Sequence, residues 1–294
     1  MSVPTLTDNG AEPLTAPAHS SASRDPLELF TISEMTTRVA ETAVEKAAHP
    51  LSFLVRSLVG GAMVSFGVLL SLVVSTGVSS PGIASLLMGL AFGMSFALIL
   101  VSGMSLITAD MAAGAMAILQ RRMSLLGYLR LLLIGLIGNC VGALTFVAVC
   151  AAAGGPYLGA FAQRAAVVAT AKTSQPTPTA ILLAVVCTWF LQTSMCLFFK
   201  ARTDIARMGF AFYGPFAFVI GATQHVIANI GFLGLPLLLS AFHPEAPHTA
   251  LTWGVGAHGL LTNIAITTVG NLIGGTLFVA VPFQLVTTLQ ENGR

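Results

Sequence analysis

The sequence predicts an all-α membrane protein with six transmembrane spans arranged as two inverted three-span repeats. Three observations carry this prediction. Of 294 residues, 55% are hydrophobic and only 8% are charged, with a mean hydropathy of +0.87, whereas a soluble domain carries about 25% charged residues. The stretch Gly138-Asn-Cys-Val-Gly-Ala-Leu-Thr-Phe-Val147 recurs half a chain later as Gly270-Asn-Leu-Ile-Gly-Gly-Thr-Leu-Phe-Val279. The copies fall in spans 3 and 6, and three spans is an odd number, so the two halves must run in opposite directions. Lastly, spans 2 and 5 are each interrupted by small and polar residues at corresponding places in the two halves.

The charges set the orientation. Arg24, Arg38, Lys46, Arg56, Arg121, Arg122, Arg130, Lys200, Arg202, Arg207 and Arg294 fall on one side of the six-span arrangement, and Arg164 and Lys172 on the other. By the positive-inside rule both termini lie in the cytoplasm. A net charge of +2 leaves no footprint for nucleic acid.

Taken in order, residues 1–26 are rich in Pro, Ser, Thr and Ala and lack the apolar core of a signal peptide, so they read as a disordered cytoplasmic tail. Residues 27–50 form an amphipathic helix with Ile32, Met35, Val39 and Ala43 on one face and Glu34, Arg38, Glu41 and Glu45 on the other; its low hydrophobicity keeps it on the membrane surface or against the bundle. The transmembrane domain spans 51–288, with 289–294 a second cytoplasmic tail. Span 1 covers 51–77. Span 2 starts near Ile83 and is interrupted at Ser102-Gly-Met-Ser-Leu-Ile-Thr-Ala-Asp110, where Asp110 or Thr108 caps a second half-helix reaching Leu119. Asp110 is read as a cap without a transport role. Span 3 covers 131–153, and an outer loop with Lys172, Pro176 and Pro178 runs to Thr179. Span 4 covers 180–199. Span 6 runs from Leu260 to Leu285, after a loop whose His243 and His248 receive no role. The four cysteines, Cys140, Cys150, Cys187 and Cys196, lack metal-ligand spacing and read as packing residues.

Span 5 carries His225, and no Asp, Glu, Lys or Arg occurs between Arg207 and Glu245. A titratable side chain at membrane depth is costly, so it marks a cavity, an ion path or a proton path by default. Gly231, Gly234 and Pro236 come after it, which places the helix break just beyond the histidine. A broken helix beside an ionisable group is a common way to build a transport site.

Together these segments resemble the formate/nitrite transporter family of pentameric anion channels, over about residues 27–288. The matching pieces are His49-Pro50-Leu51 after the amphipathic helix, Leu106-Ile-Thr108, Gly138-Asn-Cys-Val-Gly-Ala-Leu144, His225-Val-Ile-Ala-Asn229 with Pro236, and Thr268-Val-Gly-Asn-Leu-Ile-Gly-Gly275. The resemblance implies an aquaporin-like outline, a homopentamer in the bacterial cytoplasmic (inner) membrane with a pore through each protomer, and no enzymatic activity or cofactor. It also assigns roles. His225 matches the central pore histidine, Thr108 the threonine of the interrupting loop, and Asn271 an asparagine lining the site. Phe92, Phe96, Leu106, Ile107 and Phe218 match two apolar constrictions, and Lys172 the basic residue of the outer vestibule. Three positions depart from the pattern: Gln224 stands where glutamate is usual, Thr188 where many members have asparagine, and Ile107 where phenylalanine is usual.

The activity this resemblance implies is a pore for a small monovalent weak-acid anion, formate or nitrite, with a proton as the second partner and lipid around it. Hydrosulfide, acetate and lactate are the alternatives within the family. A pore for water or glycerol is the alternative of another class; it would need paired Asn-Pro-Ala loops, and the sequence contains none.

Overall fold

The computed structural model describes residues 29–293; the tail expected over 1–26 lies outside the described residues. These fold as packed helices with a single isolated bridge, Thr252 to Gly259, and no longer strand pairing among the described residues. Helix α1 (Ile32–Ala48) starts with a capping box, in which the Thr31 hydroxyl accepts from the Glu34 N–H and the Glu34 carboxylate accepts from the Thr31 N–H. This closes two of the four donors that a helix start leaves open. Met35, Val39, Ala40 and Ala43 are buried on one face.

The apolar helices come next: α2 (Pro50–Ser75), α3 (Pro81–Ser102), α4 (Ile107–Leu119), α5 (Leu125–Ala153), α6 (Ala160–Thr173), α7 (Thr177–Lys200), α8 (Asp204–Ile220), α9 (Val226–Phe242), α10 (Leu260–Gly275) and α11 (Val281–Asn292). Proline in the first turn starts α2, α3 and α7, where its missing N–H costs nothing. A five-residue π segment, Thr276–Ala280, joins α10 to α11. Among the described residues five helices are long and apolar enough to cross a membrane: α2, α3, α5, α7 and the continuous run Leu260–Asn292. The shorter α4 and α9 are half-helices, preceded by the non-helical segments 103–106 and 221–225.

The glycines of the repeated motif sit where helices touch. A methyl group on Gly142 would overlap the Leu58 carbonyl of α2, and one on Gly274 would press on the Val185 carbonyl of α7. Only glycine permits so close an approach of two backbones.

Four expectations need correction. The break in span 5 precedes His225: residues 221–225 are non-helical, with Ala222 at φ +52°, and α9 runs unbroken through Gly231, Gly234 and Pro236. Apolar packing on all sides holds that proline within the helix, and its first residues are tied from elsewhere. Neither Thr108 nor Asp110 caps α4; the N-cap position is Leu106, and a side chain from α5 supplies the acceptor instead. The outer loop before Thr179 contains helix α6, whose mixed composition hides its periodicity. Span 3 begins six residues earlier than expected, at Leu125, where the Ser124 hydroxyl accepts from the Gly127 N–H.

Candidate functional site

Two half-helix starts meet in the middle of the bundle. The start of α4 is held by Asn139 of α5: its Oδ1 accepts from the Ile107 N–H at 2.7 Å, while its Nδ2 donates to the carbonyls of Ser57 (2.6 Å) and Ser105 (2.9 Å). The start of α9 is held by Asn271 of α10. Its Oδ1 accepts from the Val226 N–H at 2.9 Å, and its Nδ2 donates to the carbonyls of Ala184 and Gln224, both at 2.9 Å. Both asparagines are fully buried, and each satisfies three backbone groups that an apolar interior would otherwise leave unpaired. They are the asparagines of the repeated Gly-Asn motif.

These ties place Thr108 in the first turn of α4 and His225 at the N-cap of α9. The His225 Nδ1 accepts from the Ala228 N–H at 3.1 Å. In the neutral ring that puts the proton on Nε2, which donates to the Thr108 hydroxyl at 3.0 Å. Both side chains are buried, His225 at 2% exposure and Thr108 at 0%. Each helix start carries about half a positive charge from its aligned peptides, so two such ends face one point. Such an end is a ready site for an anion.

Aromatic rings close around the imidazole. Phe218 stacks on it, with centroids 5.1 Å apart and planes 7° from parallel. Phe92 packs edge-on against Phe218 at 5.4 Å and over Phe232 at 6.5 Å. Phe96 is buried one turn further along α3 from Phe92.

Cavities open at opposite ends of α3. One, of about 260 Å³, is lined by Ser85 and Met88 of α3, by Arg164 and Lys172 of α6, and by Phe218, Gln224 and His225. Its lining contains no carboxylate. The Lys172 ammonium donates to the Thr223 carbonyl at 3.2 Å and lies 5.1 Å from the centroid of the Phe232 ring. Burial pulls its pKa down to about 8. Arg164 donates from Nε to the Ser75 hydroxyl and from a terminal nitrogen to the Met88 sulfur. The other cavity, of about 140 Å³, is lined by Ile99 and Leu100 of α3, by Leu106, and by Glu45, Lys46, Arg56 and Asp110. Ser85 and Ile99 are fourteen positions apart on α3, or about 21 Å at 1.5 Å per residue.

Of the residues singled out in the sequence, His225, Thr108, Asn271, Gln224, Phe218 and Phe92 converge here. Leu106 faces the second cavity. Ile107 lines neither cavity; its side chain lies beside Gly135 of α5. Thr188 is fully buried against Gly274 and Gly275, and its hydroxyl makes no hydrogen bond among the described residues. Sequence reading misses Arg164 as a wall of the first cavity, although its place beside Lys172 on the same short segment is visible. It also misses that Asp110 is ion-paired: Asp110 Oδ1 lies 2.5 Å from Lys46 Nζ of α1, and Oδ2 accepts from the Ser105 hydroxyl at 2.9 Å.

A bundle with two tied half-helices meeting at a buried histidine, between cavities at opposite ends of one membrane-length helix, defines a membrane transport protein. The family model described as "Formate/nitrite transporter" matches residues 33–285, and the chain belongs to that family. Among curated relatives, a "Formate-nitrite transporter" of Plasmodium knowlesi (strain H) is 31% identical over 202 residues, covering 66% of this chain and 60% of that one. The chain thus spans less than two thirds of that relative's length. An "Uncharacterized transporter YrhG" of Bacillus subtilis (strain 168) is 28% identical over 270 residues, covering 89% of this chain and 95% of that one. A solved structure, "Pentameric formate channel with formate bound", superposes with a TM-score of 0.69 at 20% identity, over 83% of this chain and 99% of that one; it shares the fold.

Proposed function

We propose that this protein is a pore for a small monovalent weak-acid anion, with formate or nitrite as its cargo, and that the anion crosses the centre as its neutral acid. The observation that carries this reading is the His225–Thr108 contact at 3.0 Å, made where two positive helix ends converge. Arg164 and Lys172 gather the anion in the carboxylate-free cavity. Phe92, Phe96 and Phe218 form the apolar constriction beyond it, and Leu106 the one on the other side.

A bare anion between such walls is costly, because unpaired charge in a low-dielectric interior is disfavoured by many kcal/mol. As the anion leaves water its basicity rises, and it takes a proton delivered from bulk water through the cavity, while the neutral imidazole donates a hydrogen bond to it from Nε2. The Nε2–H of His225 and the hydroxyl of Thr108 supply hydrogen bonds, while Asn271 holds the histidine's helix in place; Gln224 lines the carboxylate-free cavity. The neutral acid passes Leu106 and returns its proton to water on the far side, so one proton accompanies each anion.

The matched ties of Asn139 and Asn271 support two inverted three-span repeats, with α3–α4 and α8–α9 as the interrupted second and fifth spans. The basic residues support a cytoplasmic location for α1 and both termini. The full-length likeness to a bacterial transporter supports a bacterial cytoplasmic membrane, and the pentameric fold neighbour supports a homopentamer. On this reading the protein is a conduit and not an enzyme, organised as an N-terminal helix over 27–50 and a channel domain over 51–288.

The test is transport by purified protein in liposomes, comparing formate, nitrite, hydrosulfide, acetate and lactate at pH 5.5 and 7.5. Flux of formate or nitrite that increases at the lower pH is expected. Glycerol flux with none of the five anions would overturn the proposal.

A further inference from the structure

The ammonium of Lys172 meets the cavity through a backbone fixed by three uncharged amides. Lys172 lies in the last turn of α6, where carbonyls lack helical partners. Its carbonyl accepts from Gln224 Nε2 at 3.1 Å and from Asn263 Nδ2 at 3.4 Å. Asn229 then joins the two donors, its Nδ2 donating to Gln224 Oε1 at 2.6 Å and to Asn263 Oδ1 at 2.8 Å. All three side chains are buried, at 2%, 0% and 7% exposure for Gln224, Asn229 and Asn263. They come from three separate stretches of chain: the segment before α9, α9 itself, and α10.

The donors in this cluster are amides. Gln224 donates with one end and accepts with the other; a carboxylate only accepts. A carboxylate at position 224 would set an oxygen against the Lys172 carbonyl and a negative charge near the Lys172 ammonium. In the chain as it stands, Lys172 has no carboxylate within ion-pair distance among the described residues. Its ammonium meets the Thr223 carbonyl and the Phe232 ring face.

We infer that Gln224, Asn229 and Asn263 are positioning residues for anion capture: they clamp the end of α6 so that Lys172 enters the cavity as an unneutralised cation. This rests on the anion-pore reading above and adds to it which residues set the strength of anion uptake. The clamp acts on the capture of any small monovalent anion, before the central constriction, so it governs half-saturation and not the maximal rate.

The test measures initial uptake of radiolabelled formate against concentration, in liposomes holding the wild-type protein, Lys172→Gln, Asn263→Leu, the double variant and Gln224→Glu. Lys172→Gln is expected to raise KM about tenfold, the scale on which one focused charge changes local ion concentration. Asn263→Leu should raise KM in the same direction, and in the Lys172→Gln background it should add nothing, because it acts through the lysine. Gln224→Glu, which keeps the side-chain shape, should raise KM as well, and Asn263→Leu, outside the cavity lining, should hold the maximal rate within about twofold of wild type. Normal wild-type flux with an unchanged KM in Asn263→Leu or Gln224→Glu would overturn the clamp alone, as would independent, multiplying effects in the double variant. Wild-type liposomes that pass no formate would overturn the pore reading itself and this inference with it.

Discussion

Asn139 and Asn271 make the same three hydrogen bonds at the starts of two different half-helices. Each accepts from the first helical N–H and donates twice, once to the carbonyl two residues before that N–H and once to a neighbouring long helix. The correspondence sets Leu106 of one half against His225 of the other, since each is the residue just before the tied N–H. One site is thus apolar and the other titratable on the same scaffold.

Replacing either asparagine by leucine leaves three buried backbone groups unpaired. Each such group costs about 1–3 kcal/mol, so Asn139→Leu and Asn271→Leu should each lower the thermal midpoint of the detergent-solubilised protein sharply. Asn→Asp keeps the acceptor and loses both donations, so it should fall between wild type and leucine. A midpoint unchanged by Asn271→Leu would show that the tie is dispensable.

The Lys46–Asp110 pair joins α1 to α4 with little solvent, at 12% and 0% side-chain exposure. Removing one member of a buried pair costs about 3–5 kcal/mol because the other charge is stranded. Lys46→Met and Asp110→Leu should each destabilise by that order, and the double variant should recover part of the loss. Thermal melts of the three variants measure this; equal losses that simply add would argue against direct pairing.

Gly142 lies against the Leu58 carbonyl, with no room for a methyl group. Gly142→Ala should force α2 and α5 apart and cost about 1–3 kcal/mol by overpacking. Gly77, at φ +77° in an open turn with nothing near its missing side chain, makes an informative contrast: substitution there acts through backbone strain and not through contact. Melting curves for Gly142→Ala and Gly77→Ala, compared with the effect of each on α2–α5 cross-linking, separate the two causes.

Lys172 carries its charge below a pKa of about 8 and loses it above, since burial disfavours the ammonium. On the proposed mechanism KM for formate should rise between pH 7 and pH 9 in the wild type, beyond the general decline expected for weak-acid transport. Lys172→Gln should lack this additional rise. Parallel KM–pH curves for the two proteins would count against the lysine as the titrating group.

Much of the fold is legible because the chain states it twice. The repeated Gly-Asn motif, the two interruptions and the run of apolar segments are all local or periodic signals. Sequence puts the break on the wrong side of His225 because Gly231 and Pro236 are weak breakers inside a fully buried helix, while the true break is fixed by Asn271, forty-five positions away from Val226. The role of Asp110 escapes for the same reason: its partner Lys46 is sixty-four positions distant. Helix α6 hides because its buried residues, Phe161, Ala162, Ala165, Ala166 and Ala169, are mostly alanine, which marks a helix but no strong apolar face. The amide clamp cannot be read at all, since asparagine and glutamine signal nothing until their partners are known.

On the proposed mechanism the His225 imidazole serves the passing acid. Formate flux into liposomes, measured from pH 5.5 to 8 for wild type and His225→Phe with assembly checked by gel filtration, tests it most directly. The result expected is a loss of most of the flux in the variant together with a changed dependence on pH, whereas the same flux and the same pH profile in both proteins would contradict it.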